Sequence, residues 1–104
     1  MHILFVCTGN ICRSPTGERL AAAYAAENGM PELWVSSAGT RAVIGHPVHR
    51  DAAVVLDALG GDTSGFAARQ LTAKIASTAD LIIAMTSAHR DIVLETAPDR
   101  KSVV

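Results

Sequence analysis

The chain has 104 residues, enough for a single domain spanning residues 1–104 with a modest core. Apolar residues make up 49% of it, which is typical of a globular protein and excludes extended disorder. The formal net charge of −1 gives no general attraction to nucleic acid or to anionic membranes, so we expect neither partner. Any anion must therefore be bound by a local arrangement of residues.

The two cysteines, Cys7 and Cys12, lie in one short segment. A secreted disulfide scaffold would place its cysteines far apart to join distant segments. A signal peptide is not evident, because the first residues lack a basic region and a cleavage site. No apolar stretch is long enough to cross a bilayer. The sequence therefore favours a cytoplasmic protein whose thiols are reduced.

Hydrophobic periodicity and local start and stop signals predict strands alternating with helices along the chain. Ser14 is a candidate N-cap, Pro15 suits a first helical turn, and Gly29 is a stop signal. The alternation predicts an α/β fold with a doubly wound parallel sheet. The predicted strands are 2–6, 33–37 and 81–85, the predicted helices are 14–28, 48–59, 72–78 and 87–96, and residues 102–104 have β character.

The segment 6–15, Val-Cys-Thr-Gly-Asn-Ile-Cys-Arg-Ser-Pro, joins the first predicted strand to the first predicted helix. Cys7 ends the strand, and ligands of open α/β folds bind beyond the carboxyl ends of strands. The following helix contributes free N–H groups and the positive end of its dipole. Gly9 allows the backbone to curl into an anion-binding nest. This surrounding favours the thiolate form of Cys7, which is the nucleophilic form.

Three further side chains of this segment complete the predicted chemistry. The planar fork of Arg13 can bind two oxygens of a phosphate and stabilise charge in the transition state. Asn10 tolerates left-handed backbone conformations and can fix the loop. The Ser14 hydroxyl is close enough in sequence to bond the Cys7 sulfur and ease its departure. We interpret the segment as a site for phosphoryl transfer to cysteine.

The whole segment resembles the signature of the low-molecular-weight protein tyrosine phosphatases, and residues 36–40, 68–71 and 80–85 resemble later segments of that family in the same order. The resemblance implies a sheet with flavodoxin-like strand order and no metal or organic cofactor. It also implies that Cys7 forms a phosphocysteine and that Cys12 can close a reversible disulfide with it. The catalytic residues implied are Cys7, Arg13 and Ser14, and the phosphate-binding residues are Thr8, Gly9, Asn10, Ile11, Cys12 and Arg13.

The chain departs from the family pattern after its third predicted strand. The family's general acid is an aspartate in an Asp-Pro-aromatic segment, and these 104 residues contain no Asp-Pro dipeptide. Asp99 follows a proline and is a poor substitute. We also expect the family's final strand, loop and helix to be lacking. A bare third strand would invite pairing with another chain, so a homo-oligomer or a domain swap is expected as an alternative.

Several functions stay open from the sequence. The first is hydrolysis of phosphotyrosine in proteins or of small aryl phosphates, with weakened activity because the acid is absent. Ile11 disfavours an arginine phosphatase, since relatives of that type tend to have threonine there. Arsenate reduction would need an external thiol, because no cysteine follows Cys12. A catalytically silent phosphate-binding or dimerisation fragment is the alternative from another class.

For four further residues the sequence predicts no catalytic or metal-binding role. His46 and His49 are expected to be solvated loop residues and not a metal pair, because no third ligand is near. His89, beside Arg90 on a predicted helix, is expected at the surface. Phe66 falls near a position where several relatives have a histidine that supports the loop, and it cannot make that hydrogen bond.

Overall fold

A computed structural model describes residues 1–99 and 103–104 of the chain. Three parallel strands form a sheet in the order β2-β1-β3, as expected for a doubly wound α/β fold. Every predicted strand and helix within the described residues is present, with ends that differ by at most two residues. The elements are β1 (His2–Cys7), α1 (Arg13–Glu27), β2 (Trp34–Gly39), α2 (Arg50–Ala58), α3 (Ala73–Thr78), β3 (Leu81–Ala84) and α4 (Ser87–Thr96).

The central strand β1 determines where the functional loop lies. Its last residue, Cys7, pairs with Gly39 at the end of β2, and Val6 pairs with Ala84 at the end of β3. Because all three strands are parallel, their carboxyl ends meet at one edge of the sheet. The segments that follow β1, β2 and β3 therefore converge at this edge.

The two faces of the sheet bury different side chains because successive strand residues point to opposite faces. Leu4 and Val6 lie in a core that includes Ile82 of β3 and Val93 of α4, and all four are fully buried. Burial of side chains of this size is worth about 1.5–3 kcal/mol each. On the other face Phe5 contacts Gly17 of α1. β1 is thus packed on both faces, which keeps the loop after it in place.

The starts of three helices are capped by side chains. Thr72 and Thr86 accept the N–H groups of Ile75 and His89, three residues on, and His49 caps α2. The prediction that Ser14 caps α1 is wrong: the helix begins one residue earlier, its N-cap position has no side-chain cap, and the Ser14 hydroxyl faces Cys7 instead. Within the described residues, no helix combines the length and the hydrophobicity needed to span a membrane.

The outer edge of β3 is not bare. Val103 forms a parallel bridge with Ile82, and Val104 accepts the N–H of Ala84. The condition for pairing with another chain, a bare third strand, is therefore not met at these positions, because Val103 and Val104 supply hydrogen-bond partners. Ser102, which the sequence places in the same β segment, lies outside the described residues. The predicted absence of the family's final strand, loop and helix stays a prediction.

Gly39 lies where β2 meets the loop after β1. A Cβ atom at this position would overlap the carbonyl oxygen of Thr8 and lie 3.0 Å from the backbone nitrogen of Asn10. We expect Gly39→Ala to lower the free energy of unfolding by about 1–3 kcal/mol, because the backbone of the loop cannot move aside cheaply. Urea denaturation would measure this change.

Gly9→Ala is the matched control, because an added Cβ there meets only side chains at ordinary distances, 3.5 Å from Ile11 and 3.6 Å from Val43. It should change stability much less than Gly39→Ala does. Equal effects of the two substitutions would contradict the close-contact explanation.

Candidate active site

Cys7 lies at the carboxyl end of β1 with only 3% of its surface exposed. Its sulfur is 2.9 Å from the Ser14 hydroxyl oxygen and accepts the Ser14 backbone N–H at 3.4 Å. Both donors lie in the first turn of α1, where N–H groups lack intrahelical partners and the helix dipole is positive. The structure brings the Cys7 sulfur and the Ser14 hydroxyl together, as the sequence predicts.

The loop from Thr8 to Arg13 turns its carbonyl groups outward. Backbone N–H groups of the residues that follow β2 donate hydrogen bonds to three of these carbonyls. These bonds hold the loop against that segment. Within the described residues, the six N–H groups of this loop have no protein acceptor. A run of backbone donors without protein partners is suited to an anion. The bonds concerned are Arg41 N–H to Thr8 O at 2.9 Å, Val43 N–H to Gly9 O at 3.0 Å and His49 N–H to Ile11 O at 2.6 Å.

Asn10 holds this loop in its shape. It is fully buried and has a φ of 57°, the left-handed conformation that asparagine tolerates. Its amide nitrogen donates to the hydroxyls of Ser14 and Ser37, each at 2.9 Å, and its amide oxygen accepts the Arg69 N–H at 2.9 Å. The predicted role of Asn10 matches this geometry. Gly9, expected to provide the unusual backbone conformation, is not in the left-handed region.

A chain of hydrogen bonds continues outward from Asn10. The Ser37 hydroxyl donates to Glu18 at 2.7 Å, and the other Glu18 oxygen lies 2.8 Å from Arg19 Nε. The Arg19 guanidinium also lies over the Phe66 ring, 5.4 Å from its centroid. Sequence analysis missed Ser37, Glu18 and Arg19, because they come from two elements and carry no motif of their own. Phe66 contributes through this cation–π contact and not through a hydrogen bond.

Arg13 is the first residue of α1 and is exposed. In the described part of the chain its side chain has neither an ion pair nor a hydrogen bond. A guanidinium without a protein partner keeps all its donors for a ligand. Its position next to Ser14 places this positive charge at the same helix start that faces Cys7.

His89 is buried, with 5% of its surface exposed, so the prediction of a surface position is wrong. Burial lowers the pKa of His89 below its usual 6.5, and the nearby Arg13 charge lowers this pKa further. The ring bonds the hydroxyls of Thr8 and Thr86. The sequence did contain a signal that His89 is buried. It lies four residues before the apolar Val93, and residues four apart share a helix face, which in α4 is buried.

The side chains of the other predicted residues make no hydrogen bond to Cys7 within the described residues. Cys12 is exposed while Cys7 is buried, and the disulfide between them stays a prediction. Asp99 is exposed in a turn after α4. Within the described residues, no three His, Cys, Asp or Glu side chains cluster in a way that could hold a metal ion. His49 uses its Nδ1 to accept the Asp51 N–H at the start of α2.

Ser14→Ala should make Cys7 less reactive. The Ser14 hydroxyl already accepts from Asn10, so its own proton has the Cys7 sulfur as acceptor. A hydrogen bond to a charged group is worth about 1.5–3 kcal/mol, so alkylation of Cys7 by iodoacetate at pH 6 should slow about tenfold or more. Mass spectrometry in a Cys12→Ser background would isolate the Cys7 rate.

The control is Ser77→Ala, whose hydroxyl bonds only the Lys74 carbonyl within the described residues. It should leave the alkylation rate at the wild-type value. If Ser14→Ala and Ser77→Ala reacted equally fast, the Ser14 hydroxyl would not stabilise the thiolate.

Acid should destabilise the folded chain through His89. Because the pKa of His89 is lowered on folding, the unfolded state binds a proton more readily. The stability contributed by neutral His89 is therefore present above about pH 6.5 and is lost as the pH falls below that value.

Melting temperatures between pH 7.5 and 5 should fall more steeply for wild type than for His89→Gln, which cannot take up a proton. His46→Gln, at an exposed position, should keep the wild-type slope, and equal slopes in all three proteins would contradict this assignment.

Comparison with known proteins supports the family indicated by the loop. A family model described as low molecular weight phosphotyrosine protein phosphatase matches residues 2–104. The tyrosine phosphatase Etp of Escherichia coli K12 is 45% identical over 97 residues, covering 93% of this chain. The structure of the AmsI tyrosine phosphatase of Erwinia amylovora superposes with a TM-score of 0.87 at 38% identity, covering 99% of this chain and 66% of AmsI.

The YwlE arginine phosphatase of Geobacillus stearothermophilus superposes with a TM-score of 0.86 at 34% identity, covering 99% of this chain and 64% of YwlE. The chain spans 62% of the length of Etp. With a family model matching nearly all of its residues and a shared fold, the chain belongs to the low molecular weight phosphotyrosine protein phosphatase family.

Proposed function

We propose that this chain hydrolyses phosphomonoesters through a phosphocysteine intermediate on Cys7. The observation that carries the proposal is the buried sulfur of Cys7, with the Ser14 hydroxyl at 2.9 Å, directly before six residues whose backbone N–H groups have no protein acceptor in the described part of the chain. A thiolate, a ring of backbone donors and a free guanidinium at one point suit attack on a bound phosphate. No metal or organic cofactor enters this mechanism.

In the first step the Cys7 thiolate attacks phosphorus, and an S–P bond forms as the bond to the leaving oxygen breaks. The electron pair leaves with that oxygen, which takes up a proton unless the leaving group is stable as an anion. The loop N–H groups and the Arg13 fork hold the remaining phosphoryl oxygens and stabilise their charge. The reaction class is therefore phosphoryl transfer to a protein nucleophile.

In the second step water attacks the phosphocysteine, releasing inorganic phosphate and returning the electron pair of the S–P bond to sulfur. The Ser14 hydroxyl donates to that sulfur and so stabilises the departing thiolate. Asn10 supports this step by donating to the Ser14 oxygen, which leaves the Ser14 proton for sulfur.

We propose phosphotyrosine in proteins, or a small aryl phosphate, as the substrate class. Etp and AmsI are named tyrosine phosphatases, whereas YwlE is named an arginine phosphatase, and AmsI and YwlE superpose almost equally well. The fold alone thus does not choose between the two substrates. Ile11 favours the tyrosine class, since relatives of the arginine type tend to have threonine at this position.

Other properties of the chain stay predictions. These are a cytoplasmic location, a reversible Cys7–Cys12 disulfide, a homo-oligomer or domain swap, and the absence of nucleic acid and membrane partners. Arsenate reduction with an external thiol, and a silent phosphate-binding or dimerisation fragment, are the alternative functions that experiment must exclude.

Turnover should depend on the Cys7 sulfur. Wild type should release p-nitrophenol from p-nitrophenyl phosphate, and Cys7→Ser should lower kcat at least about a thousandfold. Cys12→Ser should retain activity, because only Cys7 forms the covalent intermediate. Acid quenching during turnover should trap a phosphorylated protein detectable by mass spectrometry. Absent turnover with retained phosphate binding would instead indicate a phosphate-binding fragment.

The rate should depend steeply on the leaving group. General acid catalysis typically contributes about a hundred- to ten-thousand-fold, and these 104 residues offer no Asp-Pro-aromatic acid. We therefore expect weak turnover of p-nitrophenyl phosphate and much less of a phosphotyrosine peptide, because p-nitrophenolate leaves without protonation. Comparable kcat/KM values for both substrates would show that another group supplies the proton. Asp99 is the one aspartate considered as a general acid, and Asp99→Asn should change kcat/KM for neither substrate.

A further inference from the structure

His89 is a buried side chain that the proposed chemistry does not use. It reaches from α4 to the loop that carries the nucleophile, where its Nε2 lies 2.8 Å from the Thr8 hydroxyl oxygen. Its Nδ1 lies 2.9 Å from the Thr86 hydroxyl oxygen, at the start of its own helix. The imidazole therefore connects the cap of α4 to the residue that directly follows Cys7.

The proton positions follow from the available partners. The Thr86 oxygen already accepts the backbone N–H of His89 at 3.2 Å, as the N-cap of α4. Within the described residues, the only acceptor for the Thr86 hydroxyl proton is Nδ1 of His89. When the Thr86 hydroxyl donates to Nδ1, the single ring proton of a neutral imidazole lies on Nε2. Nε2 consequently donates to the Thr8 oxygen.

This direction leaves the Thr8 hydroxyl with a proton to give. The Thr8 oxygen accepts from His89, and no acceptor for its proton is present in the described part of the chain. Thr8 is exposed, and it is the first residue after the nucleophile. Burial and the nearby Arg13 charge both lower the pKa of His89, which is consistent with the neutral ring that this arrangement requires.

We propose that His89 is a positioning residue that holds the Thr8 side chain as a hydrogen-bond donor to an oxygen of the bound phosphoryl group. The inference rests on the proposed function, and it adds a side-chain donor to the backbone donors of the loop. The Thr8 hydroxyl would touch the substrate, whereas His89 would act only through Thr8. The hydrogen bonds from Thr86 to His89 and from His89 to Thr8 fix the direction of that donor.

Binding of inorganic phosphate to the 104-residue chain tests this, measured by NMR titration together with kcat and KM for p-nitrophenyl phosphate. Thr8→Val keeps the shape of the side chain and removes the donor, so the phosphate Kd should rise about tenfold, as for a lost hydrogen bond to a charged group. Thr8→Ser keeps the hydroxyl and should bind phosphate nearly as wild type does. Because Thr8 is exposed, both variants should fold.

His89 variants test the positioning role. His89→Leu should weaken phosphate binding about as much as Thr8→Val, and the double variant should be no weaker than either, because both changes remove one donor. His89→Gln should restore most of the affinity, since its amide can donate where Nε2 does. Val93→Ala removes a buried contact on the same helix face and should lower stability without changing the phosphate Kd.

Three results would overturn the inference. One is a Thr8→Val protein that binds phosphate within twofold of wild type. Another is equal weakening by His89→Gln, His89→Leu and Val93→Ala, which would show that His89 merely anchors α4. The third is a wild-type chain that does not bind phosphate. If Thr8→Val leaves the phosphate Kd unchanged while wild type still shows Cys7-dependent turnover, only this inference is refuted. If the Kd values change as predicted but the wild-type chain shows no turnover, only the proposed function is refuted.

Discussion

The side-chain amide of Asn10 is the interaction on which the functional loop depends. Six consecutive residues have N–H groups without a protein acceptor in the described part of the chain, so helix or strand hydrogen bonds through these groups do not stabilise the loop. The buried amide replaces those bonds by joining Ser14, Ser37 and the backbone of Arg69, which come from three separate segments. Both the nitrogen and the oxygen of this buried side-chain amide are hydrogen-bonded, so ordering the loop leaves neither of them unsatisfied.

The parallel sheet makes this arrangement possible. The carboxyl ends of β1 and β2 lie side by side, so the segment after β2 reaches the outward carbonyls of the loop after β1. Gly39 allows that approach because a side chain there would overlap the Thr8 carbonyl. The core beneath, with Leu4 and Val6 fully buried, keeps β1 from shifting relative to its neighbours. The packing on both faces of β1 and the hydrogen bonds of the loop thus both hold the loop after β1 in its position.

The distribution of charge explains how a nearly neutral chain can offer an anion site. Arg13 carries a positive charge at the start of α1, next to Ser14, which bonds the Cys7 sulfur. The nearby carboxylate, Glu18, lies behind Ser37 and is paired with Arg19, so its charge is compensated away from the loop. His89 adds no charge while it is neutral, and its burial near Arg13 favours that state. The anion affinity that we propose for this site therefore depends on where the charges lie and not on the net charge of the chain.

Local patterns in the sequence were enough to predict the alternation of strands and helices, which the structure confirms. They also predict roles for Cys7, Asn10 and Arg13, because periodicity and a contiguous loop motif are local properties of the chain. The sequence placed Ser14 correctly beside the sulfur but wrongly as a helix cap. Only the tertiary structure brought Ser37, Glu18 and Arg19 behind the loop and buried His89 against Thr8. Those contacts join residues that only the folded sheet brings together, some of them 81 positions apart, and no local pattern encodes such distances.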